Sequence, residues 1–210
     1  MTTILVVCTA NLCRSPYAAA SLRALIEHTE LLDGISVVSA GTEAMAGHPI
    51  CELAAQSLVE HQIPARFFAT HSSRSLTVGK INRAGLILTA ERAHRSSVNR
   101  LVPGSQSRTF TILEAGMLAE SLSISRDDGL GSEPPSFADL VERMNTARGS
   151  EARLSDPRPW WKLRGSSDLL TIPDGHNISS RAHAATFLRL REPIDAIASY
   201  LIGGEAPTLD

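Results

Sequence analysis

Cysteine is scarce in this chain of 210 residues, with only Cys8, Cys13 and Cys51 present. Three unevenly placed thiols exclude the disulfide framework of a small secreted domain, leave at least one sulfur free and fit a reducing compartment. An excess of either charge is also lacking: 20 basic side chains stand against 22 acidic ones, for a formal net charge of −2. No overall field therefore favours nucleic acid or an anionic membrane, and any anion site has to be local. Long apolar runs are missing too. No stretch approaches the roughly 20 apolar residues needed to span a bilayer, and the N-terminus has no basic segment leading into an apolar run and a small-residue cleavage site. The expected location is the cytoplasm, with neither membrane nor nucleic acid as partner.

What is present is core-forming material. Hydrophobic residues make up 43% of the chain, which at this length suits a single domain over 1–210. Ile4 to Cys8 is a short continuous run rich in β-branched residues, as in a strand buried on both faces. Ser15 as a cap and Pro16 in a first turn predict a helix through Tyr17, Leu22, Leu25 and Ile26. Ile35 to Ser39, followed by Ala40 and Gly41, predicts a second strand, and 49–62 a helix patterned on Leu53, Ala54, Leu58 and Val59. Leu86 to Thr89 predicts a third strand, Glu91 to Leu101 a charged surface helix stopped near Pro103 and Gly104, and Thr109 to Leu113 a fourth strand. This alternation implies an α/β, Rossmann-like three-layer domain: a four-stranded parallel sheet with right-handed crossovers and helices on both faces.

Glu114 to Leu170 departs from that rhythm. Polar, Gly and Pro clusters at Asp127 to Ser136 and Ser155 to Ser167 flank one predicted helix, Phe137 to Ala147. The stretch is read as an atypical excursion at 114–170, because structureless loops beyond about 15 residues are uncommon inside compact domains. Ser180 to Ile202 predicts a closing amphipathic helix, with Phe187, Leu188, Leu190, Ile194, Ile197, Ala198 and Leu201 as its buried stripe and Pro193 as a point of kinking. No internal repeat is present.

The chemistry concentrates where the first strand ends. Cys8, Thr9, Ala10, Asn11, Leu12, Cys13, Arg14 and Ser15 place a cysteine at the end of a buried strand and an arginine six positions later, just before a helix. A loop of this length can curl so that its backbone N–H groups point inward as an anion nest, with the helix N-terminus adding positive potential. The donors that hold a phosphate also stabilise a thiolate at its base. Arg14 closes the ring, gripping two phosphoryl oxygens through its planar fork. A buried cysteine at a strand end would explain Cys8 alone, but not Arg14, Ser15 and Pro16 after it. In-line attack by sulfur then gives a phosphocysteine.

The run from Val7 to Pro16 resembles the active-site loop of the low-molecular-weight protein tyrosine phosphatases. Ser39 to Thr42 is similar to that family's second strand and turn, His71 to Leu76 to its histidine-containing loop, and Leu86 to His94 to its third strand and following helix. The resemblance covers roughly 3–113 and 171–202. It implies a network in which Asn11, Ser15, Ser39 and His71 hold the loop and tune the thiolate. The residues themselves agree in part: asparagine tolerates left-handed backbone angles in a tight loop, and Ser15 can donate its hydroxyl to sulfur.

Expelling a phenolate needs a proton, and two aspartates compete to give it. Asp174 lies just before the closing helix, where the family carries an Asp-Pro on a loop; Asp156 has the Asp-Pro dipeptide but sits farther from that helix. Position relative to the last helix selects Asp174. Gly175 and His176 then replace the proline and aromatic that usually wall the pocket. Met45 stands where an aromatic often lines the cleft, and Trp160 and Trp161 either restore an aromatic wall or pack the excursion down.

Cys13 is five residues from Cys8, within disulfide reach if the loop geometry permits. The resemblance implies reversible oxidative protection of Cys8 by Cys13. No cofactor is implied, and no metal, since the seven histidines show no tight ligand spacing with the cysteines. The expected substrate is a phosphotyrosine protein or a small phosphomonoester. The rival readings are an arsenate reductase of the same fold, for which Leu88 to Ser107 supplies no resolving cysteine, and a non-catalytic phosphate or phosphoprotein binding module.

Overall fold

Ile4, Leu5, Val6 and Val7 have no solvent exposure, and their alternation divides the core in two. The protein is described by a computed structural model at residues 2–27, 34–124, 135–148, 170–176 and 178–204. Four parallel strands run β1 (Thr2–Cys8), β2 (Ile35–Gly41), β3 (Ala84–Thr89) and β4 (Thr109–Thr111), in the spatial order β2-β1-β3-β4. Successive strand side chains point to opposite faces. Ile4 and Val6 therefore join the larger core, with Val37, Leu86, Leu88 and Phe110. Leu5 and Val7 join a smaller one with Ala40, Ile81, Ile87 and Val98. Each of the valine, leucine, isoleucine and phenylalanine side chains among them contributes about 1.5–3 kcal/mol by leaving water.

The helices are α1 (Arg14–Ile26), α2 (Glu52–Glu60), α3 (Val78–Arg83), α4 (Arg92–Leu101), α5 (Ile112–Ile124), α6 (Phe137–Thr146) and α7 (Ser180–Ile202). Residues of α1, α2, α5, α6 and α7 line the larger core, while Ile81 of α3 and Val98 of α4 cover the other face. Helix α1 is buried all round apart from Arg23, as a helix enclosed between a sheet and other helices must be. The expected α/β three-layer architecture with a four-stranded parallel sheet is what the chain adopts.

Several local expectations are corrected. Ser15 does not cap α1: the helix already begins at Arg14, so Cys13 occupies the cap position without a side-chain cap bond, and the Ser15 hydroxyl instead meets Cys8, Asn11 and the Ala40 carbonyl. The fourth strand ends at Thr111, and α5 begins at the next residue. Residues 114–124 of the supposed excursion thus belong to a core helix, with Ala115 and Ala119 fully buried. The predicted helix at Phe137 is present, opened by a capping box between Ser136 and Asp139. Along α7, Leu188 is 61% exposed and leaves the buried stripe, and Leu53 and Val59 of α2 also face outward. Helix α7 passes through Pro193 without a break, from a Ser179 cap to a left-handed Gly203.

In this strand order the chain moves to β2 on one side of β1 and to β3 on the other. Loops at the carboxyl ends diverge at such a switch point and leave a crevice. Cys8 pairs with Gly41, and Val7 with Thr89, so the loops after β1, β2 and β3 all open at that end.

Candidate active site

Cys8 ends β1 with 3% exposure, and α1 begins six residues later at Arg14, 2% exposed. Between them the carbonyls of Cys8, Thr9 and Leu12 turn outward, accepting N–H donors from Thr42, Glu43 and Cys51 at 2.9 Å each. A loop with carbonyls outward offers its own N–H groups to the interior, which is the geometry of an anion nest. The reversal occurs at Asn11, whose φ of 57° is left-handed; asparagine is among the few residues with a side chain that accept this conformation readily.

Asn11 is fully buried and holds the loop from within. Its Nδ2 donates to Ser15 Oγ at 2.9 Å and Ser39 Oγ at 2.8 Å, and its Oδ1 accepts from the Arg74 N–H at 2.9 Å. His71 Nε2 donates to the Asn11 carbonyl at 2.8 Å; burial pushes the His71 pKa down. With Asn11 donating to the Ser15 oxygen, the Ser15 hydroxyl has two acceptors within reach, the Cys8 sulfur at 3.0 Å and the Ala40 carbonyl at 3.4 Å. The four expected supporting residues are thus connected.

Arg14 lies on the other side of the nest. Nη1 donates to the Ile172 carbonyl at 3.1 Å, and Nη2 to Thr9 Oγ1 at 3.2 Å and Asp174 Oδ2 at 2.7 Å. Asp174 is brought to the phosphate loop as expected. Asp156, Trp160 and Trp161 lie outside the described residues. Met45, expected to stand where an aromatic lines the cleft, is 73% exposed.

Two neighbours escaped sequence reasoning. Glu91 Oε1 lies 3.5 Å from Arg14 Nη1 and 3.1 Å from His94 Nε2, and His94 Nε2 also bonds Thr9 Oγ1 at 2.9 Å. His94 Nδ1 is buried with no partner among the described residues, so a second ring proton would have no acceptor. Its pKa is lowered to about 4, first by burial and then by the Arg14 charge. The available signal was placement: Glu91 and His94 stand three apart just beyond the carboxyl end of β3, beside the switch point.

The departure at Gly175 has a steric cause. A Cβ there would lie 2.5 Å from backbone atoms of Ala182 and His183, so the loop bearing Asp174 rests directly on α7 and a larger residue would lift it. His176 stays exposed but lies against the phosphate loop, its Nδ1 3.2 Å from Cys13 Sγ. Cys51 Sγ lies 3.6 Å from His183 Nε2, and the ligand atoms of Cys13, Cys51, His176 and His183 all fall within 4.8 Å of one another. Linear spacing concealed this cluster: the histidines show no tight spacing with the cysteines along the chain, and the fold brings two of them beside Cys13 and Cys51. Cys13, anticipated as a redox partner of Cys8, faces Cys51 and His176. The side chains of Cys13 and Cys51 meet in a contact that pulls the Cys51 pKa down to about 6, while that contact and burial hold Cys13 up.

Comparison with known proteins agrees with this geometry. The family model for low molecular weight phosphotyrosine protein phosphatase matches residues 3–147, which takes in α5 and α6. The probable low molecular weight protein-tyrosine-phosphatase EpsP of Ralstonia solanacearum is 37% identical over 150 residues, 71% of this chain and 92% of that protein. A protein-arginine-phosphatase of Geobacillus stearothermophilus is 32% identical over 153 residues, 73% of this chain and 90% of that protein. In the fold alone, the crystal structure of Erwinia amylovora tyrosine phosphatase AmsI superposes with a TM-score of 0.60 at 21% identity, covering 93% of this chain and 90% of that one.

Proposed function

The chain belongs to the low molecular weight phosphotyrosine protein phosphatase family, and on that premise we propose that it hydrolyses phosphotyrosine in proteins through a phosphocysteine formed on Cys8. The observation that carries the reading is the convergence on one loop of the Cys8 sulfur, the Arg14 guanidinium and the Asp174 carboxylate. In the first step the thiolate attacks phosphorus in line, the P–O bond to the tyrosine breaks, and Asp174 gives its proton to the departing phenolate. Inward N–H groups of Thr9 to Ser15 and the Arg14 fork hold the equatorial oxygens. In the second step Asp174 takes a proton from water, the oxygen attacks phosphorus, and inorganic phosphate leaves the sulfur. The Ser15 hydroxyl stabilises the thiolate that this releases.

Asp174 accepts from Arg14 at 2.7 Å, and this pair has to open before the carboxyl can carry a proton from solvent to the leaving group. Substrate phosphate, competing for the same guanidinium edge, frees the carboxyl to face the leaving group. Thr9, Glu91 and His94 keep Arg14 aimed during that exchange. Three free thiols fit the reducing cytoplasm as the working location, and no described helix is long and apolar enough to cross a membrane. One domain over 1–210 is the organisation proposed, since α7 completes the core that α1 and α5 begin.

Purified protein is expected to hydrolyse an aryl phosphate and a phosphotyrosine peptide. Cys8→Ser should be inert, and Asp174→Asn should lose about 10² to 10⁴-fold in kcat, with a smaller deficit for better leaving groups. Turnover surviving Cys8→Ser would overturn the thiolate mechanism. Release of phosphate from phosphoarginine but not from phosphotyrosine would move the substrate to the class named for the Geobacillus relative.

A further inference from the structure

The cluster of Cys13, Cys51, His176 and His183 is used by no step of the phosphatase chemistry, although one of its members lies in the phosphate loop. Four elements supply it. Cys13 precedes α1, Cys51 caps α2, His176 follows Asp174, and His183 stands in the first turn of α7. A tetrahedral zinc ion bound at roughly 2.3 Å to sulfur and 2.0–2.1 Å to nitrogen requires ligand atoms about 3.3–3.8 Å apart. Cys13 and His176 are 3.2 Å apart, Cys51 and His183 3.6 Å, and no pair exceeds 4.8 Å. Small side-chain adjustments therefore centre an ion.

We propose that these four side chains form a tetrahedral two-cysteine, two-histidine site for zinc, which ties the loop carrying Asp174 to the phosphate loop. Sulfur and imidazole donors select zinc over magnesium or calcium. Two thiolates neutralise the ion, and the protons carried by the two sulfurs are released as it binds. Cys51 sits at the N-terminus of α2, where the helix end favours a negative ligand. Its position is set by its own N–H bond to the Leu12 carbonyl at 2.9 Å. The His183 ring is fixed against Phe187, 5.0 Å between centroids. Cys13 and His183 are buried and His176 is exposed, so the ion enters from the His176 side.

The test is metal binding by the reduced full-length chain. One zinc per chain is expected by elemental analysis after dialysis, together with a cobalt(II) spectrum that has intense tetrahedral bands and thiolate-to-cobalt charge transfer. His176→Asn, exposed and so harmless to folding, should weaken zinc by more than the ~10–100-fold seen when only an outer-shell partner is lost. Cys51→Ser should also remove the charge-transfer band in proportion to the lost sulfur. Cys8→Ser should bind zinc unchanged while catalytically dead, which separates this site from the phosphatase reading. Zinc binding that disappears with Cys8→Ser would place the ion on the nucleophile and overturn the proposal. So would a reduced protein that takes up no zinc and instead forms a Cys13–Cys51 disulfide in air.

Discussion

Replacing Asn11 isolates what the loop's internal scaffold contributes. Alanine there removes two donated hydrogen bonds and one accepted bond, to Ser15, Ser39 and the Arg74 N–H, all centred on a side chain with no exposure. At a net value of about 1 kcal/mol each, these bonds amount to about 3 kcal/mol. The backbone adds to this. Asn11 sits at φ 57°, and alanine, which lacks the local polar contacts that make asparagine tolerant there, costs about 1 kcal/mol more. Asn11→Ala should therefore lose about 4 kcal/mol, a large share of the roughly 5–15 kcal/mol typical of a domain. Asn11→Gly removes the same bonds without backbone strain and should lose about 3 kcal/mol. Urea unfolding followed by far-UV circular dichroism measures both. The order of the two variants is the sharper test, because glycine is normally the less stable substitution. An alanine variant more stable than the glycine one, or a loss below about 1 kcal/mol, would refute the reasoning.

Two further predictions concern stability. The His94 pKa is lowered to about 4 in the fold by burial and by Arg14, against a small opposing pull from Asp174; Glu91 and Thr9 hold its Nε2–H. Between about 6.5 and 4 the unfolded chain binds a proton that the folded chain refuses, so stability falls with pH across that window, by about 3 kcal/mol in total. Urea midpoints measured from pH 7 to 4 should show that loss in the native protein and a flatter profile in His94→Gln. On the opposite side of the sheet, a Cβ on Gly116 would lie 2.7 Å from Pro193 Cα and Cβ, so Gly116→Ala should force α5 and α7 apart. The expected cost is about 1–3 kcal/mol, read as a lowered urea midpoint at unchanged far-UV signal.

How far these features can be read from sequence depends on whether the cause is local. The run at Ile4 to Val7 announces a strand buried on both faces, and Cys8 and Arg14 six apart before Pro16 announce the nest, because all the physics lies within one segment. Helix α5 was missed because Thr111 passes into Ile112 with no glycine or proline between them, so nothing local ends the strand. Ser15 was misread as a cap because a serine there satisfies both patterns, and only the position of Cys8 Sγ at 3.0 Å decides between them. Glu91 and His94 read as residues of a charged surface helix. Their role arises from the pairing of β1 with β3, which brings Ala90 N–H to the Val7 carbonyl at 2.9 Å and sets the start of α4 beside the nest. The four-residue sulfur and imidazole cluster draws on positions 13, 51, 176 and 183, and no periodicity connects them.

The same contacts limit the motion open to Asp174 in its proposed role as the acid. Ile172 donates its N–H to the Ala90 carbonyl at 2.9 Å and accepts from Arg14, and Pro173 accepts from Thr186 Oγ1 at 3.1 Å. Two residues beyond Asp174, His176 is bonded to Cys13, and its own N–H reaches Asp174 Oδ1 at 3.1 Å. Asp174 is thus anchored on both sides, and Gly175 has no free space above α7. A wide loop swing would break all of these bonds at about 1 kcal/mol or more apiece, whereas rotating the Asp174 side chain breaks only its bonds to Arg14 and the His176 N–H. Arg14 holds the loop backbone through one nitrogen and the carboxylate through the other. On the proposed mechanism, phosphate that draws the second nitrogen away would release the Asp174 carboxyl while the first keeps its loop in place, so that substrate binding and release of the proton donor would be one event at a single guanidinium.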